Sequence, residues 1–266
     1  MFRNLQIEWM KIKNYRVFQV FSVLYLAGIV IIIYVFYRVY IQLMGRVMSM
    51  GNPNANDGKD LFRLFSEDNI WTTTCFATSF LLYLPGMIII SLFVNEVNFK
   101  THRQNIIDGW KRETFILTKL GLIATISLVV VVMNIIAAFV MCQITDTHFN
   151  LVAGLDQLGI AYIQAFIYMM FALLLATFFR RSGVAIIVFF VYGLLLESVL
   201  AAVLSKYLPG VQHFLPLQVA DSLMVFEKMG GPFANNPGLS IMMPVALAYG
   251  AVYVFLTVRK YKYDDL

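Results

Sequence analysis

The chain has 266 residues, of which 60% are hydrophobic and 13% charged, and its mean hydropathy is +0.76. Soluble domains carry roughly a quarter charged residues, so this composition excludes a soluble globular protein and points to an integral membrane protein. The net charge of +5 requires no nucleic acid or acidic ligand, because the topology derived below accounts for most of it.

In chain order, residues 1–16 place Phe2, Leu5, Trp9 and Ile12 at helical spacing, with Arg3, Lys11 and Lys13 elsewhere on the wheel. That is the pattern of a short amphipathic helix lying in the membrane interface with Trp at headgroup depth; the alternative is an unstructured basic stub. Apolar windows of about 20 residues, the length needed to cross roughly 30 Å of hydrocarbon, follow at about 17–41, 71–95, 115–143, 157–179, 183–205 and 239–258. The first is too long for the apolar region of a secretory signal and is expected to be a retained span. The expected fold is therefore an all-α integral membrane protein with six transmembrane helices, one domain over residues 1–266.

Lys and Arg give the expected orientation. Arg3, Lys11, Lys13, Arg16, Lys100, Arg103, Lys111, Arg112, Lys119, Arg180, Arg181, Arg259, Lys260 and Lys262 all fall on one side, fourteen of the 20 basic residues. Both termini are predicted to be cytoplasmic. Cys75 and Cys142 both lie near the outer ends of their spans on this topology, where a disulfide is geometrically allowed, though two buried thiols behaving as small hydrophobes fit as well.

The longest loops, about 42–70 and 206–238, are too short for an independent domain of about 50 residues or more, so function belongs to the bundle and its edges. The first, with "GNPNANDGKD", is rich in breakers. The second holds an amphipathic run from about Pro216 to Met229, read as one or two short re-entrant or surface helices before span six.

No catalytic or metal-ligating set emerges. His102, His148 and His213 are isolated and match no metal spacing; there is no nucleophile elbow and no P-loop. The chain is not expected to be an enzyme, to bind metal or to bind ATP itself. Polar groups within spans are costly and tend to face a partner or a cavity. Glu197 in span five, Asn134 and Gln164 are thus candidates for a translocation path or a subunit interface, against the plainer role of helix–helix hydrogen bonding. The 23 Phe and 14 Tyr read more simply as lipid-facing rings and interfacial belts than as a passage.

The charged stretch between spans two and three carries the most information. Thr101 to Gln104 fits a capping box, and Gly109 suits a left-handed position after a helix, which brackets one short helix from His102 to Asp108. Ile106 and Ile107 give it an apolar face, and Arg103 and Asp108 give it polar handles. It would serve as a docking point for a cytosolic partner, or simply as a basic loop.

The segment "NEVNFKTHRQNIIDGWKRETFILTK" resembles the region after span two in membrane subunits of ATP-binding-cassette type 2 exporters. The resemblance places Glu96, Thr101, Arg103, Gln104, Gly109, Arg112 and Lys119 on that pattern and departs from it at Lys100, where many members have Gly. It covers about 25 residues as motif and the whole chain as architecture. What it implies is a coupling helix at 101–109 that meets a separate cytosolic ATP-binding subunit in two copies. ATP and Mg would be held there, and this chain would bind no cofactor. It further implies a second six-span subunit, a homodimer ahead of a heterodimer, in a bacterial cytoplasmic (inner) membrane. The alternatives are a non-transporting scaffold or sensor, and an ion-coupled carrier built on Glu197.

Overall fold

The computed structural model describes residues 9–10, 12–13, 15–49, 65–67, 69–101, 112–224 and 235–263. Every regular element among them is helical. The first long helix is α1 (Arg16–Ser49). Helices α2 (Ile70–Ser79) and α3 (Tyr83–Asn98) run on through a 3-10 turn at Phe80–Leu82. Then come α4 (Arg112–Thr145) and α5 (Leu155–Phe179). Helices α6 (Ser182–Val191) and α7 (Glu197–Tyr207) are joined by a π turn at Tyr192–Leu196. The four-residue α8 (Gln218–Asp221) precedes α9 (Leu239–Tyr263).

Six stretches are long and apolar enough to cross a membrane: Arg16–Gly45, Ile70–Asn98, Phe115–Thr145, Val152–Phe179, Ser182–Tyr207 and Leu239–Lys262. Each overlies one of the windows read from the sequence, so the chain is a multi-pass membrane protein. Runs such as Val30 to Ile33 favour strands in water. Hydrocarbon offers the backbone no outside partner, and a helix satisfies its own amides and carbonyls.

Spans two and four form the core. They are 72% and 67% buried over their apolar windows, against 11% for span one, whose exposed Val, Ile and Tyr side chains suit lipid. Helix α5 packs on α3, α4 and α9. It brings Ala161, Ala165, Ala172 and Ala176, all buried, to the close-packed faces where small residues let helix backbones approach. Gly86 on α3 does the same toward span five, since a Cβ there would stand 2.5 Å from the Phe189 ring. Buried hydroxyls bond back to carbonyls one turn earlier: Thr74 to Ile70, Ser127 to Ile123 and Thr177 to Leu173. Cys75 and Cys142 are buried free thiols.

Three readings from sequence meet the structure only in part. Of residues 1–16, Trp9, Met10, Ile12 and Lys13 are helical. Ile12 is buried, whereas Trp9 is half exposed with its ring 6.2 Å from Phe18. Tyr15 is not helical and Arg16 opens α1, while residues 1–8, 11 and 14 of the predicted interface helix lie outside the described residues. So does the predicted helix from His102 to Asp108, and so does the amphipathic run beyond residue 224.

Gly86→Val should cost about 1–3 kcal/mol by overpacking, read as a lower thermal midpoint of the purified protein in micelles. Combining it with Phe189→Ala should cost less than the sum of the two single changes; strict additivity would mean that the two sites do not touch.

Candidate functional site

The segment between spans five and six enters the bundle, and polar groups from three spans receive it. Glu197 Oε1 accepts the backbone amides of Leu217 and Gln218 at 2.7 and 2.8 Å, two of the amides that a helix start leaves without partners. Asp221, at the far end of the same short helix, accepts from the Tyr168 hydroxyl at 2.7 Å and from Gln164 Nε2 at 3.0 Å, both at Oδ1. From span six, the Tyr249 and Tyr253 hydroxyls donate to the carbonyls of Phe214 and Pro216. Gln164 lies twelve residues into its span and Glu197 ten residues from the end of its own. At 1.5 Å per residue, these contacts lie about 15–18 Å along the helices.

The π turn explains how Glu197 comes to face the loop. Ala185 and Phe189 are the buried residues of α6, and Glu197 and Ala201 are those of α7. Eight residues of α-helix would put Glu197 about 80° away from Phe189, and the extra residue of a π turn brings it back to about 20°. Gly193 within that turn lies against Tyr83, whose hydroxyl is 2.5 Å from where a Cβ would be. Backbone freedom matters at Gly210, where φ is +96°; its amide donates to Gln212 Oε1 at 2.8 Å. His213 Nδ1 lies 2.7 Å from Ser222 Oγ, and that pair closes the loop on itself.

Between spans two, four and five and α8 lies a cavity of about 130 Å³, lined by Phe76, Phe80, Tyr83, Tyr168, Gln218 and Asp221 among others. Gln218 is 5% exposed and its Nε2 has no hydrogen-bond partner among the described residues; the same is true of Glu197 Oε2. Burial pushes the Asp221 carboxyl up to about 6, opposed by the bonds from Tyr168 and Gln164 that favour its ionised form.

At the opposite end of spans two and three, Lys119 Nζ meets Glu96 Oε1 at 2.7 Å, with both side chains largely buried. Lys119 also lies 5.1 Å from the centre of the Phe115 ring, which stacks on Tyr261; Phe93 packs against both. Helix α3 ends with Lys100 in the left-handed region, φ +56°. Thr101 Oγ1 then donates to the carbonyl of Glu96 at 3.2 Å.

Of the residues singled out from the sequence, Glu197 and Gln164 thus hold the two ends of the same short helix. Asn134 is elsewhere, its Oδ1 2.6 Å from the Thr78 hydroxyl between spans two and three. Glu96 and Thr101 sit together at the end of α3. Arg112 opens α4, while Arg103, Gln104, Ile106, Asp108 and Gly109 lie outside the described residues. The sequence reading passed over Asp221, Gln218, Tyr83 and Tyr168. The sole signal for Asp221 was an acid on an amphipathic run bounded by Pro and Gly. No group of three or more His, Cys, Asp or Glu suited to a metal occurs among the described residues.

Taken together, the fold is that of a helical multi-pass membrane protein with a polar loop set into one end. The chain belongs to the family described as "Protein of unknown function (DUF2705)", whose model matches residues 56–266. No curated protein matches it.

Two outcomes are expected. A carboxyl raised by folding from 3.8 to about 6 contributes stability that is fully present below the lower value and lost as pH rises through the upper one. The hold on the loop should therefore weaken between pH 4 and 7 by on the order of 2 kcal/mol. Hydrogen exchange at residues 208–224 would report it, and Asp221→Asn should flatten the profile. Lys119→Met should cost about 3 kcal/mol by stranding a buried carboxylate, and adding Glu96→Gln should restore part of the loss. Denaturant titration of the three variants reads both.

Proposed function

We propose that this chain is the membrane subunit of an ATP-driven exporter. It lies in a bacterial cytoplasmic membrane with both termini inside, and the segment 101–109 couples it to a separate ATP-binding subunit present in two copies. The observation that carries the reading is the Glu96–Lys119 ion pair. It ties the end of span two to the start of span three across the base of that segment, so that a push on the segment moves both spans as one body. The backbone adds support at Lys100. Its left-handed φ is the conformation that favours Gly, the residue that many members of the resembled family carry there.

From this base, the path of force runs along span two. Gly86 meets Phe189 and Tyr83 meets Gly193, so displacement of span two bears on span five. Span five carries Glu197, and Glu197 holds the loop through Leu217 and Gln218. In the proposed mechanism, ATP-driven approach of the two partner subunits tilts span two against span five and works the loop as a plug in the path. The depth of its contacts supports a re-entrant loop on the outer side. A second six-span copy would complete the path, and ATP hydrolysis would belong wholly to the partner. In this scheme Glu197 is a positioning residue, which favours the exporter over an ion-coupled carrier.

The test is mild solubilisation of the tagged full chain from its native host, followed by identification of what co-purifies and assay for ATP hydrolysis. The exporter reading expects a stoichiometric P-loop subunit with ATPase activity, its association weakened roughly tenfold or more by Arg103→Glu. Recovery of the six-span protein with a partner lacking a P-loop would favour the scaffold alternative. Recovery without any ATPase, from conditions that keep other complexes intact, would overturn the reading.

A further inference from the structure

We propose that the cavity between spans two, four and five is a binding site for an alkylated ammonium group, with Asp221 as its counter-charge. Four of its walls are aromatic: Phe76, Phe80, Tyr83 and Tyr168. The rings meet edge-on in two pairs, Phe76 with Phe80 at 5.5 Å and Tyr83 with Tyr168 at 5.5 Å between centroids. Several aromatic side chains around one space are the kind of lining with which aromatic cages hold quaternary ammonium.

The charge arrangement agrees. Asp221 lines this cavity and Glu197 holds the same short helix, yet neither carboxylate forms an ion pair among the described residues. Both hydrogen bonds to Asp221 go to Oδ1, which leaves Oδ2 for another partner. Gln218, 95% buried, brings to the same lining an amide whose nitrogen has no partner. A neutral apolar guest would leave the carboxylate without a counter-charge. An anion would face a carboxylate. A cation with short alkyl arms meets the carboxylate with its charge and the rings with its methyl groups. The volume of about 130 Å³ suits a headgroup-sized guest, benzene being held by an engineered cavity of about 150 Å³.

The proposal stands apart from the exporter reading, because it is tested by binding and not by transport. Purified full-length protein in nanodiscs of anionic lipid free of choline is titrated with tetramethylammonium and with choline, using the uncharged isostere 3,3-dimethylbutan-1-ol as control. A saturable rise in thermal midpoint with both cations and none with the isostere is expected. The isostere matching the cations would overturn the proposal. Asp221→Asn should weaken binding about tenfold or more. Phe80 is 58% exposed, so Phe80→Ala should fold normally and weaken binding by about threefold to thirtyfold. Should Asp221→Asn fail to fold, the wild type answers the same question. Its response should fade between pH 7.5 and 5 as Asp221 takes up a proton, and a response independent of pH and unchanged in Phe80→Ala would sink the idea. Repeating the titration in nanodiscs of choline-headgroup lipid separates the sources: a lost response points to the lipid headgroup as occupant, a retained one to a free cation, and either supports the site.

Discussion

Hydrocarbon gives an exposed amide or carbonyl nothing to bond, and the architecture of this chain follows from that constraint. Six segments answer it by being helices. The segment after span five cannot, because its run of short turns leaves amides and carbonyls open at several points. It is accommodated because spans five and six send side chains to several of those points, while span four holds the loop through the side chain of Asp221. The Glu197 carboxylate takes the two amides that open α8, and two tyrosines of span six take carbonyls just before it. Irregular backbone at such depth is tolerated only where protein or a cavity surrounds it, and here both do.

The end of span two and its middle illustrate different answers to the cost of burying charge. At the end Glu96 and Lys119 form a matched ion pair beside a cluster of three aromatic rings. Each charge compensates the other's lost hydration, and removal of either leaves the remaining one stranded. Beside its middle the acids near α8 are held by neutral donors alone: backbone amides, a phenol and a carboxamide. Neutral donors compensate a carboxylate less fully than a cation does, and the carboxyl of Asp221 is accordingly pushed up by its burial. The first is built to stay shut. The second has a hold on its loop that depends on protonation and on what occupies the cavity.

How much of this was legible in the sequence depended on the range of the interaction. The spans were readable because a run of about 20 apolar residues has few soluble explanations. Glu197 stood out as a charge within such a run, but its partners are main-chain amides twenty residues further on, which no side-chain pattern marks. Asp221 went unnoticed because its partners, Tyr168 and Gln164, lie more than fifty residues away on another helix. The aromatic residues around it were read as lipid-facing Phe and interfacial Tyr, which suits the exposed Phe80 but not Tyr83 and Tyr168, both buried. The π turn left no trace in the pattern, although without it Glu197 would point away from the loop. Glu96 and Lys119 were both read as parts of a motif, and only the antiparallel run of α3 and α4 joins them as a pair.

The same geometry constrains how motion can pass through the bundle. A rigid element transmits displacement only where its neighbours cannot yield, and close-packed ring-on-backbone contacts yield least. Span two has two such contacts with span five: Gly86 against Phe189, and Tyr83 against Gly193. The second lies on the π turn, where the regular ladder of hydrogen bonds is already broken and where helices tend to bend. Tyr83 also lines the cavity and meets Tyr168 edge-on. Movement of span two toward span five would therefore change the cavity and bear on the π turn together. Span five would bend at Tyr192–Leu196, and Glu197, the first residue beyond the bend, would shift most directly. Because that residue holds the start of α8 while span four holds its end through Asp221, a bend in span five would pull the two ends of the loop helix in different directions.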